Sequence, residues 1–172
     1  MKIYVTGIGV VSAIGLNAEE NLSSLKSGVT GIKKSSIYPQ MIGEVKLSDE
    51  EIIGILDLPD YDFSRTSLLS LLAAKEAWGN SEIHGNIKTG LVSATSIGGL
   101  DRTEKYYFEC QKNLSTDAFK LMTHDNGRTT EVIAAKLGIA GYSGTISTAC
   151  SSSANTIIHV ARLFEGNKLD RV

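Results

Sequence analysis

The chain has 172 residues, of which 42% are hydrophobic, 21% charged and 6% aromatic, enough apolar material for a buried core and too much for a linker, a tail or a disulfide miniprotein. Seventeen Lys+Arg against 19 Asp+Glu give a net charge of −2, which removes the electrostatic footprint of a nucleic-acid binder. No apolar run reaches the ~18 residues of a membrane span, and two cysteines, Cys110 and Cys150, are too few for a disulfide framework and favour a reducing cytoplasm.

Lys2 to Val11 is β-branched and punctuated by Gly7 and Gly9, which predicts a strand entering a tight turn. Its lack of clean alternation predicts cover on both faces, and the absence of a cleavage-type context makes it structure and not an export signal. Asn17 as an N-cap, Glu19 and Glu20 in the first turn and Gly28 as a stop predict a helix over Ala18 to Ser27. Thr30 to Pro59, broken by Gly31, Pro39, Gly43 and Gly54, reads as mostly loop with a short strand in Ile42 to Leu47; Asp49-Glu50-Glu51 reads as a solvated helix start or loop. Phe63 to Trp78 predicts a helix apolar on nearly every face, suited to the middle of a domain. Thr89 to Ser96 predicts a small-residue strand running into Gly98-Gly99, where a backbone turns sharply or is closely approached.

Asp101 to Lys112, Thr116 to Met122 and Gly127 to Leu137 predict covering helices, the last stopped at Gly138. Thr145 to Ala149 predicts a strand, Asn155 to Phe164 a helix ending at Gly166, and Lys168 to Val172 the start of a further strand. The chain is therefore expected to stop in mid-element, as a truncated domain would. Strands alternating with helices argue for an α/β fold with a mostly parallel sheet covered by helices.

Cys150 falls between a predicted strand and the first turn of a predicted helix, where backbone N–H groups and the helix dipole favour an anion, the form in which a thiol attacks. Ala149, Ser151, Ser152 and Ser153 around it are small and leave room for a substrate. The competing reading is a small buried hydrophobe, since free Cys is among the most buried residue types. None of the three histidines suits it as a base. His159 lies two and a half turns along the same helix, and His84 and His124 sit in polar loops. No His or Cys spacing matches a metal site, so no metal is expected. Gly7-Ile8-Gly9-Val10-Val11-Ser12 fails the dinucleotide fingerprint at its third glycine, and Gly98-Gly99 lacks the Lys-Ser/Thr pair of a nucleotide loop. Cys110, within a helix and without an activating neighbour, reads as structural.

Val5-Thr6-Gly7-Ile8-Gly9-Val10-Val11-Ser12, Ser96-Ile97-Gly98-Gly99 and Ile146-Ser147-Thr148-Ala149-Cys150-Ser151-Ser152 together resemble, in order and spacing, the β-ketoacyl-[acyl-carrier-protein] synthases, condensing enzymes of the thiolase superfamily. The resemblance covers essentially the whole chain. It implies a thiolase-like α/β fold, a mostly parallel mixed sheet covered by helices, with residues 1–172 as the N-terminal of two duplicated halves and the C-terminal half absent. It implies a decarboxylative Claisen condensation in fatty-acid or polyketide assembly: an acyl chain passes from a carrier-protein thioester to Cys150, and the carbanion of a decarboxylated malonyl thioester attacks it. The Cys150 N–H would serve the oxyanion hole. Two histidines and a lysine, supplied in this family by the other half, would assist, so a fragment of this length is expected to be inactive alone. No cofactor is implied; the partners implied are an acidic acyl carrier protein, acyl and malonyl thioesters, and a second copy in a homodimer. His124-Asp125-Asn126-Gly127 departs from the Asn and Ala-Gly pair that many relatives carry before this helix, which leaves the acyl pocket and substrate open. Two other functions are compatible with the same motifs, a non-catalytic carrier-binding subunit of the same fold and thiolase-type transfer with coenzyme A. The retained Cys150 argues against the first, and the motif around it looks less like the second.

Overall fold

Helix-start chemistry fixes most of the elements. The computed structural model describes residues 2–59, 63–79, 86–112 and 122–172. Helix α1 (Ala18–Lys26) begins where the Asn17 side chain accepts the Glu20 N–H at 2.8 Å, as its N-cap predicts. Helix α2 (Asp49–Leu56) lies in the stretch the sequence reads as mostly loop, and it begins at Asp49-Glu50-Glu51, for which a helix start is one of the two readings. There the Ser48 hydroxyl accepts the Glu51 N–H at 3.2 Å while the Glu51 carboxylate accepts the Ser48 N–H at 2.7 Å, a reciprocal capping box. Gly54, read as a breaker, sits inside α2 with open space where a Cβ would be. Its cost of about 1 kcal/mol in propensity is smaller than the gain from burying Ile52 and Leu56 completely, about 1.5–3 kcal/mol each.

Helix α3 (Arg65–Trp78) follows Ser64, whose side chain accepts the Ser67 N–H at 3.1 Å, and ends as expected. Helices α4 (Leu100–Lys112) and α5 (Asn126–Leu137) match their predicted spans to within one residue at each end, and the Asp125 carboxylate caps α5 through the Gly127 N–H at 2.7 Å. Residues 116–121 of the predicted helix between them lie outside the described residues. Helix α6 (Ser152–Glu165) starts three residues earlier than the sequence reading placed it.

Strands β1 (Ile32–Lys34) and β2 (Met41–Gly43) form an antiparallel hairpin with Lys33 opposite Ile42. Strands β3 (Leu91–Ala94) and β4 (Ser143–Ile146) pair in parallel, Leu91 opposite Ser143 and Ala94 opposite Ile146. Both are shorter than predicted: β3 stops before Thr95, and β4 ends before Ser147. Arg171 adds a single parallel bridge to Thr89 and places its guanidinium 4.5 Å from the centre of the Trp78 ring.

The N-terminal expectation fails. Lys2 to Val11 is not a strand, and Ile3, Tyr4, Val5 and Ile8 are exposed. The segment runs along α3 without a strand partner among the described residues, and only side-chain chemistry and close contact hold it. Glu76 accepts the Val10 N–H at 2.9 Å and the Ala18 N–H at 2.7 Å. The two glycines serve this approach and not a turn: a Cβ on Gly7 would stand 2.0 Å from the Ala77 carbonyl oxygen, and one on Gly9 1.9 Å from that of Ala73. The tight turn comes later, where Ser12 and Gly15 bridge.

The core joins Ile52 and Leu56 of α2, Phe63, Leu68 and Leu71 at and in α3, and Ile133 of α5. Helix α3 is central, packed against both α2 and α5, as its all-round apolar character requires. Polar groups inside this packing are paired with each other: Ser67 bonds Ser64 at 2.9 Å and Thr129 at 3.0 Å, and Thr130 of α5 bonds Ser93 of β3 at 2.6 Å and Thr145 of β4. The Thr130 bonds fasten α5 to the parallel pair at Ser93 and Thr145, which stand opposite each other.

Candidate active site

At the C-terminal ends of β3 and β4 the chain turns twice within hydrogen-bonding distance of itself. After β3, Gly98 takes a left-handed φ of 52°, and a Cβ on Gly99 would stand 1.9 Å from the Thr123 carbonyl oxygen, so this pair serves both a turn and a close approach. After β4, Ala149–Ser151 forms a single 3₁₀ turn that leads directly into α6. The Ser96 hydroxyl links the two turns by donating to the Ala149 carbonyl at 3.0 Å.

Cys150 occupies the middle of the second turn and is exposed, so the alternative of a buried hydrophobe is excluded. It lies where a strand exit meets a helix start, the place the sequence assigns to it. Its N–H precedes the first bond of the helical run, Ser151 N–H to Thr148 C=O at 3.2 Å, and so belongs to the donors that a helix start leaves over.

A collar of hydroxyls and amides surrounds the turn. Asn155 Nδ2 donates to Thr148 Oγ1 at 2.8 Å, and the Ser151 hydroxyl donates to the Thr148 carbonyl at 2.7 Å. Asn126, at the start of α5, donates to the Ser147 hydroxyl at 3.1 Å. In the sequence Asn126 stands out only within a departure from a family pattern, and Asn155 only as the start of a predicted helix. The second was legible, because Thr148, Ser151 and Asn155 follow the spacing of one helix face. The first was not, because only the fold carries α5 to the exit of β4. Of the serines after Cys150, Ser151 and Ser153 are exposed, and only Ser152 differs from expectation. Instead of leaving open space, Ser152 is buried and bonded within the turn.

The histidines do not join this site. His124 Nδ1 is bonded to Thr103 at 2.8 Å and His159 Nε2 to the Tyr142 hydroxyl at 2.8 Å; His84 lies outside the described residues. Cys110, near the end of α4, is partly covered. A cavity of about 640 Å³ between the hairpin and the start of α2 is lined by Lys33, Lys34, Glu44, Lys46, Asp49 and Arg65 among others and shares no residue with the Cys150 turn. Among the described residues no helix is long and apolar enough to cross a membrane.

A parallel strand pair with helices packed on it, and a cysteine presented at a strand-to-helix turn, make this an α/β protein with an exposed thiol at its strand exits. The solved structure of the ishigamide ketosynthase/chain length factor superposes with a TM-score of 0.80 at 18% identity, over 96% of this chain and 49% of that one. The family model described as "Beta-ketoacyl synthase, N-terminal domain" matches residues 1–168, and the chain belongs to the β-ketoacyl synthase family. Among its relatives are the 3-oxoacyl-[acyl-carrier-protein] synthase 2 of Coxiella burnetii, 25% identical over 98% of this chain and 44% of the relative. The 3-oxoacyl-[acyl-carrier-protein] synthase 1 of Escherichia coli K12 is 26% identical over 99% of this chain and 45% of the relative. The chain thus spans a little under half the length of these curated relatives.

Proposed function

We propose that this protein carries the nucleophile of a condensing enzyme that performs a decarboxylative Claisen condensation between an acyl thioester and a malonyl thioester. Cys150 is that nucleophile, and residues 1–172 act as the N-terminal half of the catalytic fold. The observation that carries the reading is the exposed thiol at a strand-to-helix turn braced by the Ser96 and Asn155 collar. In the first step the Cys150 thiolate attacks the carbonyl carbon of an acyl thioester on a carrier protein. The carbonyl electron pair moves to oxygen, where the Cys150 N–H is one donor suited to receive it. Collapse of the tetrahedral intermediate expels the carrier thiolate and leaves the acyl group on Cys150. In the second step a malonyl thioester loses CO₂, its carbanion attacks the acyl carbon, and the Cys150 thiolate leaves.

The two histidines and the lysine that the resemblance calls for come, in this reading, from sequence beyond the matched stretch; neither His124 nor His159 is recruited, since each is bonded elsewhere. The partners are an acidic acyl carrier protein and a second copy of the enzyme, and the setting is the cytoplasm, consistent with two free cysteines. The test is trapping of the acyl-enzyme in the intact gene product by peptide mass spectrometry after brief exposure to a medium-chain acyl thioester. The acyl mass is expected on the Cys150 peptide and is expected to vanish in C150A with folding nearly unchanged. An acyl group retained in C150A, or found on Cys110, would overturn the assignment.

A further inference from the structure

Ala149, the residue before the proposed nucleophile, has φ 52°, a left-handed backbone that a residue with a Cβ adopts only when its surroundings impose it. What imposes it is visible. The Ser152 hydroxyl donates to the Ala149 carbonyl at 2.7 Å and accepts the Thr148 N–H at 2.8 Å, so one side chain grips the backbone on both sides of the strained residue. Ser152 is 4% exposed, which keeps water from competing for either bond. The Ser152 N–H returns to the same Ala149 carbonyl, and Ser96 adds its own hydroxyl from the end of β3 at 3.0 Å. The carbonyl is thus fixed by donors from two elements, while the Thr148 N–H, left over at the end of β4, is satisfied by Ser152 alone among the described residues. Cys150 follows immediately and is exposed.

We infer that Ser152 is a positioning residue for Cys150: its hydroxyl holds Ala149 left-handed and thereby presents the thiol at the mouth of the turn. The inference deepens the reading of Cys150 as the nucleophile and rests on it for its catalytic consequence. The geometric claim is tested without any acyl transfer, so the two can fail separately.

The experiment is a double-mutant cycle in the intact gene product, read as the rate of iodoacetamide modification of Cys150 relative to Cys110 in the same molecule. S152A is expected to slow Cys150 modification about tenfold, the size that loss of support for one strained residue allows. Glycine adopts a positive φ at no steric cost. In the A149G background the same S152A change is therefore expected to cost about twofold or less, and this rescue is what a merely structural serine would not give. An S152A rate equal to or above the wild-type rate would overturn the inference, as would a tenfold loss that persists beside A149G. If S152A instead modifies both cysteines at the rates of the urea-unfolded protein, it has not folded, and the A149G/S152A protein decides: recovery of slow Cys110 modification supports the inference, and continued unfolded rates overturn it. Acyl transfer measured on the same four proteins separates the two claims. Absence of acylation in wild type with the cycle intact rejects the enzyme reading and leaves the positioning of Cys150 standing.

Discussion

Ile52 on α2 and Ile157 on α6 are the same residue on two amphipathic helices, yet the first is wholly buried and the second is 71% exposed. The difference lies in what each helix meets. α2 closes against α3, whose other side closes against α5, so one continuous cluster takes the apolar residues of three helices. α6 packs against β3 and β4 but leaves Ile157 and Ile158 uncovered, and the N-terminal segment leaves Ile3, Tyr4, Val5 and Ile8 in the same condition. The comparison separates two things that hydrophobic periodicity conflates: a local pattern determines that a helix forms, whereas burial depends on a second surface that the pattern does not name.

The largest expected effect breaks the buried side of the comparison. Leu68, fully buried at the centre of the cluster, becomes a cavity in L68A, with an expected loss of about 2–5 kcal/mol by urea unfolding. I157A is expected to change stability by no more than about 0.5 kcal/mol, as exposed substitutions do. Equal losses would show that Ile157 is covered in solution and that the contrast is false.

A smaller effect tests how the uncovered N-terminal segment is held. In G9A the new methyl would lie 1.9 Å from the Ala73 carbonyl oxygen and 2.9 Å from the Ala77 nitrogen, backbone atoms of α3 that cannot rotate away. The segment is expected to lift, at a cost of about 1–3 kcal/mol, and the Val10 and Ala18 amides that Glu76 now accepts are expected to exchange faster. Unchanged exchange at both amides would mean that the close approach is not what keeps the segment in place.

These cases also show what sequence could reveal. The α3 span and the Asn17 cap of α1 were legible because caps and apolar spacing are local, and the place of Cys150 between a strand and a helix was legible for the same reason. Helix α2 was only half legible: Asp49-Glu50-Glu51 reads as a helix start or a loop, and Gly54 reads as a breaker, yet its cost of about 1 kcal/mol in propensity is outweighed by two fully buried side chains. The N-terminal strand was misread for the opposite reason. Its β-branched composition states a preference for pairing, but pairing needs an edge, and the segment has none among the described residues. Asn126 and Ser96 reached the site through the fold, from residues far from Cys150 in sequence, and no spacing rule could have joined them to it.

The smallest effect concerns α2 alone, which is buried on one side and open at its charged start. Glu50 is fully exposed, and its carboxyl is held below the ordinary 4.5 chiefly by a backbone N–H, then by the Ser48 hydroxyl and the nearby charges of Arg102 and Lys105. Because the folded value is the lower one, the unfolded chain binds the proton first as acid is added. The contribution of Glu50 is therefore complete above the unfolded value and is lost as pH falls through the folded value. E50Q is expected to be slightly less stable than wild type at neutral pH, with the gap closing below pH 4.5, as paired urea titrations would show. L68A, whose loss comes from a cavity, is expected to keep its deficit through that same acid window. A Glu50 gap that persisted in acid would mean that the side chain acts at the helix start by packing and not by charge.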